Sequence, residues 1–131
     1  MNSQIATDMG LRERMWVASN RSTPEDALKV LAADEDVSVR SEVADNPNTP
    51  ADTLKVLATD EDGVRYRVAS NRSTPEDALK VLATDEDVMC MCNVRGEVAA
   101  NPNTPADALK VLAMDKDVTV RARVAYNPNF K

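Results

Sequence analysis

The chain has 131 residues, enough for one ordinary domain, and is 43% hydrophobic but only 3% aromatic, so its core must be packed from Leu, Val and Ala. Its 22 Asp and Glu against 16 Lys and Arg give a net charge of −6, which repels phosphate backbones and disfavours general nucleic-acid binding. His is absent and the two cysteines, Cys90 and Cys92, lie one residue apart, which excludes Ser/His/Asp and Cys/His catalysis and any disulfide framework spanning the chain.

The opening MNSQIATDMG has neither a basic n-region nor an apolar h-region, and no apolar run approaches the ~18 residues of a membrane span. A soluble, cytoplasmic protein with no membrane partner is expected. The stretch TDMGLRERMWVASN then reads as a blurred copy of an element that recurs downstream, with Leu11, Met15 and Trp16 replacing smaller residues. Trp16 takes a place held later by Glu42, Arg67, Glu97 and Arg123, which marks residues 1–16 as a partial N-terminal repeat or cap.

From Val17 onward the chain is periodic. A Val-Ala pair shortly before an Asn recurs at Val17, Val43, Val68, Val98 and Val124, at intervals of 26, 25, 30 and 26 residues. The pattern V-A-x-N-x-x-T-P-x-D-x-L-K-V-L-A-x-D-x-D divides the chain into one repeat domain with full copies at 17–42, 43–67, 68–97 and 98–123 and a partial copy at 124–131. Val17–Val37 and Val68–Val88 differ at one position, Ala33 against Thr84, so a two-repeat unit has been duplicated.

Each copy opens a helix of about ten residues. Thr23, Thr49, Thr74 and Thr104 are placed as N-caps, with Pro24, Pro50, Pro75 and Pro105 at the first helical position. Asp26, Asp52, Asp77 and Asp107 put negative charge near the positive helix end. On a helical wheel Ala27, Leu28, Val30, Leu31 and Ala32 cover a wide apolar arc, as suits a helix contacted on several sides. Lys29 marks the solvent line, with Glu25 one turn before it as an ion-pair helper. An acidic turn follows, then a second element such as VSVRSEVA at 37–44, about two turns long and either α or 3₁₀. Asn20, Asn46, Asn71, Asn101 and Asn127 end it, because Asn tolerates left-handed backbone and bonds locally. Two helical elements per ~25 residues, stacked, make an all-α solenoid of four to five repeats.

Arg40, Arg65, Arg95 and Arg121 recur inside the second element, and on the wheel Arg40 falls within the apolar arc, where an unpaired charge is costly. The expected partners are Asp36, Asp62 and Asp117, three or four residues ahead, in a ladder tying each repeat to itself or its neighbour. The Asn residues are expected to satisfy backbone groups in the same way. The alternative is an arginine stripe of Arg40, Arg65, Arg67, Arg95, Arg121 and Arg123 that recognises acidic peptide or phosphate.

Repeat three carries four extra residues, Met89, Cys90, Met91 and Cys92. Alternating thioethers and thiols suit soft cations, yet a closed zinc or iron–sulfur site usually takes four ligands. Cys90 and Cys92 are therefore weak metal candidates beside the plainer reading of a bulged or lengthened helix start filled with adaptable side chains. No metal, cofactor or catalytic site is expected, since the carboxylates recur at every helix start and turn as caps and solvated groups. At the far end VAYNPNFK begins a fifth copy, with Phe130 where Thr is expected. Tyr126 and Phe130 shield the last turn, mark the cut edge of a longer protein, or form an association surface; the sequence leaves the three open.

The stretch DVSVRSEVADNPNTPADTLKVLATDED resembles the leucine-rich repeat variant family, whose shared core is V-R-x-x-V-A-x-N-P-x-T-P-x-x-x-L-x-x-L-A-x-D; the match runs from about Asp34 to Pro128. The resemblance implies a right-handed superhelix of alternating α and short α or 3₁₀ helices, placed among armadillo- and HEAT-like solenoids. It also implies protein–protein interaction. Some members carry a Cys-rich, cluster-binding segment ahead of the repeats; nothing like it stands before Val17, so no cofactor is carried over. The expected function is a non-enzymatic scaffold binding a protein or peptide through its concave face. A HEAT-like nucleic-acid protein using the arginine stripe is the alternative, and self-association a further one.

Overall fold

The computed structural model describes residues 9–86, 88–89 and 92–130. Residues 1–8, with the expectations for the opening segment, lie outside the described residues, as do Cys90 and Met91 of the insertion. Nine α-helices are described: α1 (Leu11–Ser19), α2 (Glu25–Leu31), α3 (Val37–Asp45), α4 (Ala51–Leu57), α5 (Asp62–Ser70), α6 (Glu76–Leu82), α7 (Val94–Ala100), α8 (Ala106–Leu112) and α9 (Val118–Tyr126). They alternate between two kinds and form an all-α repeat solenoid.

The helices that follow Thr-Pro are the shorter kind, at seven residues each, while α1, α3, α5 and α9 have nine. The second element is thus a regular α-helix and the longer of the two in every copy but the one with the insertion, where α7 also has seven residues. Its length follows from its packing. The odd-numbered helices stack directly on one another in sequence as the spine of the molecule, and the short helices lean on the spine helices flanking them. Val39, Val43 and Ala44 of α3, Val64, Val68 and Ala69 of α5, and Val94, Val98 and Ala99 of α7 are all fully buried in that spine. Small and β-branched side chains let the helices approach closely. The short helices contribute two leucines each, Leu28 and Leu31, Leu54 and Leu57, Leu79 and Leu82, Leu109 and Leu112, all buried. At ~1.5–3 kcal/mol for each buried leucine, this is a main source of stabilisation, and a helix pair alone would gain only part of it.

The wide apolar arc expected on the short helices is narrower in the structure. Ala27, Leu28 and Leu31 are buried, but the valine between them turns outward, and Val56, Val81 and Val111 are exposed.

Helix entry also differs from the expected arrangement. Pro24, Pro50, Pro75 and Pro105 are the N-cap residues, in extended backbone near φ −70° and ψ 156°, and the proline carbonyl accepts the first helical bond, as from Leu54 N at 3.0 Å. The threonines sit one residue earlier and point backward. The hydroxyls of Thr23, Thr49, Thr74 and Thr104 donate to the carbonyls of Val17, Val43, Val68 and Val98 at 2.5–2.6 Å. Each thereby ties the end of a spine helix to the start of the next short helix, which fixes the angle between them. In the first turn the side chains of Asp52, Asp77 and Asp107 accept from the next backbone N–H at 2.9–3.0 Å.

The insertion does not lengthen a helix. Val88–Met89 (β1) and Cys92–Asn93 (β2) pair antiparallel, Val88 opposite Asn93 and Met89 opposite Cys92, and α7 begins only at Val94 with seven residues. Asn93 replaces the aspartate that caps α3 and α9, accepting from Gly96 N at 3.1 Å.

Candidate functional site

The recurrent polar residues form three ladders along the solenoid, each joining one repeat to the next. The first is built on arginine. Arg40 donates through Nε and Nη2 to Asp60 at 2.8 and 3.1 Å, while its Nη1 donates to the carbonyl of Asp34 at 2.8 Å. Arg65 meets Asp85 and the carbonyl of Asp60 in the same way, and Arg95 meets Asp115 and the carbonyl of Asp85. Arg14 does so with Asp34 and the carbonyl of Met9, a rung that the sequence had not marked because Arg14 lies in the blurred first copy.

The acid partner is therefore the first aspartate of the following repeat's acidic turn, twenty residues ahead in every rung. It is not Asp36, Asp62 or Asp117. Those have local work: Asp36 and Asp117 cap α3 and α9 by accepting from Ser38 N and Thr119 N, and Asp62 lies in the first turn of α5. A partner twenty residues away also explains why the insertion leaves the Arg95 rung intact. The extra residues precede Arg95, and the Arg95–Asp115 interval is untouched.

The arginine pairs are well shielded, with Arg95 and Asp115 side chains 9% exposed each. The Arg95 hydrogen bond holds the Asp115 carboxyl below the usual carboxylate range against the opposing effect of burial. For Asp60 burial is the largest single influence and acts upward, but the Arg40 hydrogen bond, the Glu61 backbone N–H and the nearby arginine charges together bring it below its ordinary value.

The second ladder is asparagine. The Nδ2 of Asn46 donates to the carbonyls of Ala18 and Asn20 at 2.8 and 3.0 Å, and Asn71, Asn101 and Asn127 repeat this on Ala44 and Asn46, Ala69 and Asn71, and Ala99 and Asn101. The Oδ1 of each accepts from the backbone two residues on. These asparagines are extended, near φ −75° and ψ 125°, and not left-handed. They end the spine helix and supply donors to the orphan carbonyls at the end of the preceding one. Asn20, in the first repeat, keeps the local bond to Ser22 N but has no carbonyl for its Nδ2 among the described residues.

The third ladder lies on the open face of the short helices. Lys29, Lys55 and Lys80 reach Asp52, Asp77 and Asp107 of the next repeat at 3.7, 2.9 and 3.1 Å. Lys29 thus pairs across the interface with Asp52, not with Glu25 one turn before it. Lys55 and Lys80 lower the pKa of Asp77 and Asp107 by direct hydrogen bonds.

The six arginines proposed as a recognition stripe consequently divide. Arg40, Arg65 and Arg95 are engaged by carboxylates inside the inter-repeat seam. Arg67 pairs with Asp45 at 3.3 Å and Arg123 with Glu97, each on the preceding spine helix. Arg121 is exposed, with Nη1 on the carbonyl of Asp115. The structure does not bring them together as a row of open guanidinium groups. Among the described residues no three of Cys, Asp and Glu gather as a metal site, and no buried side-chain nitrogen or oxygen lacks a hydrogen-bond partner. Cys90 falls outside the described residues, and Cys92 enters only through its backbone in β2. No helix among the described residues is long and apolar enough to cross a membrane.

These ladders and the helical spine define a tandem-repeat scaffold protein, in which Arg40, Arg65 and Arg95, the buried asparagines and Lys29, Lys55 and Lys80 serve the joints between repeats. The family model described as leucine rich repeat variant matches residues 38–62 and 93–117. The matches start 55 residues apart, the same interval that separates Val43 from Val98, so they fall on equivalent copies. In those two segments the chain is similar to the leucine-rich repeat variant model. A solved structure described as a leucine-rich repeat variant with a novel repetitive protein structural motif is 26% identical, with a TM-score of 0.44. That alignment covers 95% of this chain and 59% of the other. No curated protein matches.

Proposed function

We propose that this protein is a non-enzymatic scaffold that binds a protein or peptide segment along the face formed by α2, α4, α6 and α8. The observation behind this reading is the row of Val56, Val81 and Val111, 68, 59 and 62% exposed at the same position of successive short helices. Each of these valines sits next in sequence to a lysine, and two of those, Lys55 and Lys80, are tied to aspartates of the next short helix. An apolar residue at every repeat, framed by fixed charges of both signs, suits a partner laid across the helices with apolar and charged side chains in alternation. Because the interface would be poor in aromatic anchors, its affinity would lean on charge and fall with salt. Nucleic acid has less support as the partner, since three arginines of the stripe are already bonded within the seam and the net charge is −6.

The test compares proteins captured from native cell lysate by the wild type and by the Val56→Asp/Val81→Asp/Val111→Asp variant, whose changes are all on the surface. Loss of the same captured partners by the variant, with retention by Arg121→Ala, supports the reading. Capture indifferent to the valines counts against it. A duplex-DNA titration across salt completes the comparison: a steep negative log–log slope favours the nucleic-acid reading.

A further inference from the structure

Between α4 and α6 the face of the short helices opens into a cleft of about 220 Å³. Ala58 and Ala78, both buried, form its floor; Thr59 and Val81 line its sides, and the Lys55–Asp77 pair, 2.9 Å apart, borders it. The cleft exists because both helices turn alanine towards it, and a methyl group leaves space that a longer side chain would fill. Its volume is below the ~300–1,000 Å³ of small-molecule sites and suits a single aliphatic side chain.

The surroundings of the cleft are one-sided in charge. Asp60, Glu61 and Asp62 continue directly from Thr59, and Glu76 precedes Asp77, so five carboxylates border the cleft or adjoin its walls. The cations beside them are already engaged: Lys55 by Asp77, Lys80 by Asp107, and Arg40 by both Asp60 and Glu61. Glu61 and Glu76 are exposed, and Glu61 shares its arginine with Asp60, so the edge of the cleft keeps an excess of negative charge.

We propose that the segment bound on this face is basic: an aliphatic side chain of leucine size seats in the cleft between α4 and α6, and Lys or Arg on either side of it meets Glu61 and Glu76. This rests on the short-helix face being the docking surface and adds the chemistry of partner that the surface selects. The net charge of −6 steers such a segment to the face, and salt weakens its binding. An acidic segment meets like charge there, because the lysines of the face already hold aspartates.

The probe is a displayed library of random peptides, selected on the wild-type protein at ~0.15 M salt, where distant charges are screened. The Val56→Asp/Val81→Asp/Val111→Asp variant serves for counter-selection; it is the more acidic protein, so it removes peptides held by charge alone. The surviving peptides are expected to be rich in Lys and Arg around a Leu, Ile or Met. Two further variants carry residues that the fold already holds at the same position of another copy, since Lys116 corresponds to Glu61 and buried Thr53 to Ala78. Glu61→Lys reverses a charge at the edge of the cleft and Ala78→Thr fills part of it, and each is expected to weaken the selected peptides about tenfold. Survivors that are acidic or uncharged, or basic survivors indifferent to Ala78→Thr or to Glu61→Lys, would overturn the proposal while leaving the face itself as the docking surface. A selection that yields no peptide lost on the valine variant would remove the docking surface, and the proposal with it.

Discussion

Asn101 sits at the centre of the asparagine ladder, and its replacement by alanine isolates what one rung contributes. Its Nδ2 donates to the carbonyls of Ala69 and Asn71 at 2.7 and 3.0 Å, and its Oδ1 accepts from Asn103 N at 2.9 Å. The Asn71 carbonyl also accepts from Thr74 N, so it loses one of two donors, whereas the Ala69 carbonyl lies in the last turn of α5 and depends on Asn101. An orphaned buried acceptor costs ~1–3 kcal/mol and each further lost bond ~0.5–1.5 kcal/mol. Asn101→Ala should therefore destabilise the fold by about 3 kcal/mol, a large share of the ~5–15 kcal/mol typical of a domain. Asn20→Ala removes the same side chain from the same sequence position, but there only the Ser22 N bond is lost, and about 1 kcal/mol is expected. Urea unfolding of both variants, at concentrations where the chain is monomeric and with slopes matching wild type, measures the difference. Equal losses at positions 20 and 101 would show that the asparagines act only within their own turn, and the inter-repeat ladder would have no energetic meaning.

The arginine ladder gives a parallel contrast: Arg95→Ala leaves Asp115 shielded and unpaired and should cost about 3 kcal/mol or more, while exposed Arg121→Ala should cost under about 0.5 kcal/mol, both read by urea unfolding. In the core, Leu79→Ala should lose about 2–5 kcal/mol, whereas Val81→Ala, two residues on and facing out, should change thermal stability little. The pKa values of Asp115 and Asp60 are depressed in the folded state, so their contribution is present above the ordinary carboxylate value near 4 and is lost as pH falls through the lower folded values. Urea midpoints taken downward from pH 5 should therefore fall, and Asp115→Asn should flatten that dependence; an unchanged acid slope would mean the ion pair does not set it.

The sequence by itself determined the period, the helical character of both elements and the burial of Leu28, Leu54, Leu79 and Leu109, because these follow from apolar spacing and from what Thr-Pro and Asn do to local backbone. It also placed the recurrent Arg and Asn as structural, since a charge on an apolar arc and an amide at a helix end both require partners. It misdirected the partners themselves. Asp36 is four residues from Arg40 and Asp60 is twenty, and only stacking brings the distant one within 2.8 Å. The same holds for the threonines, whose hydroxyls turn back to a carbonyl six residues earlier once the two helices are set at their angle. Local rules see one helix at a time, and they cannot tell an N-cap from a brace between helices or a solvent-facing valine from a buried one. Which side of each helix meets a neighbour is decided by the whole stack, because in a solenoid the partner of every repeat is the next repeat.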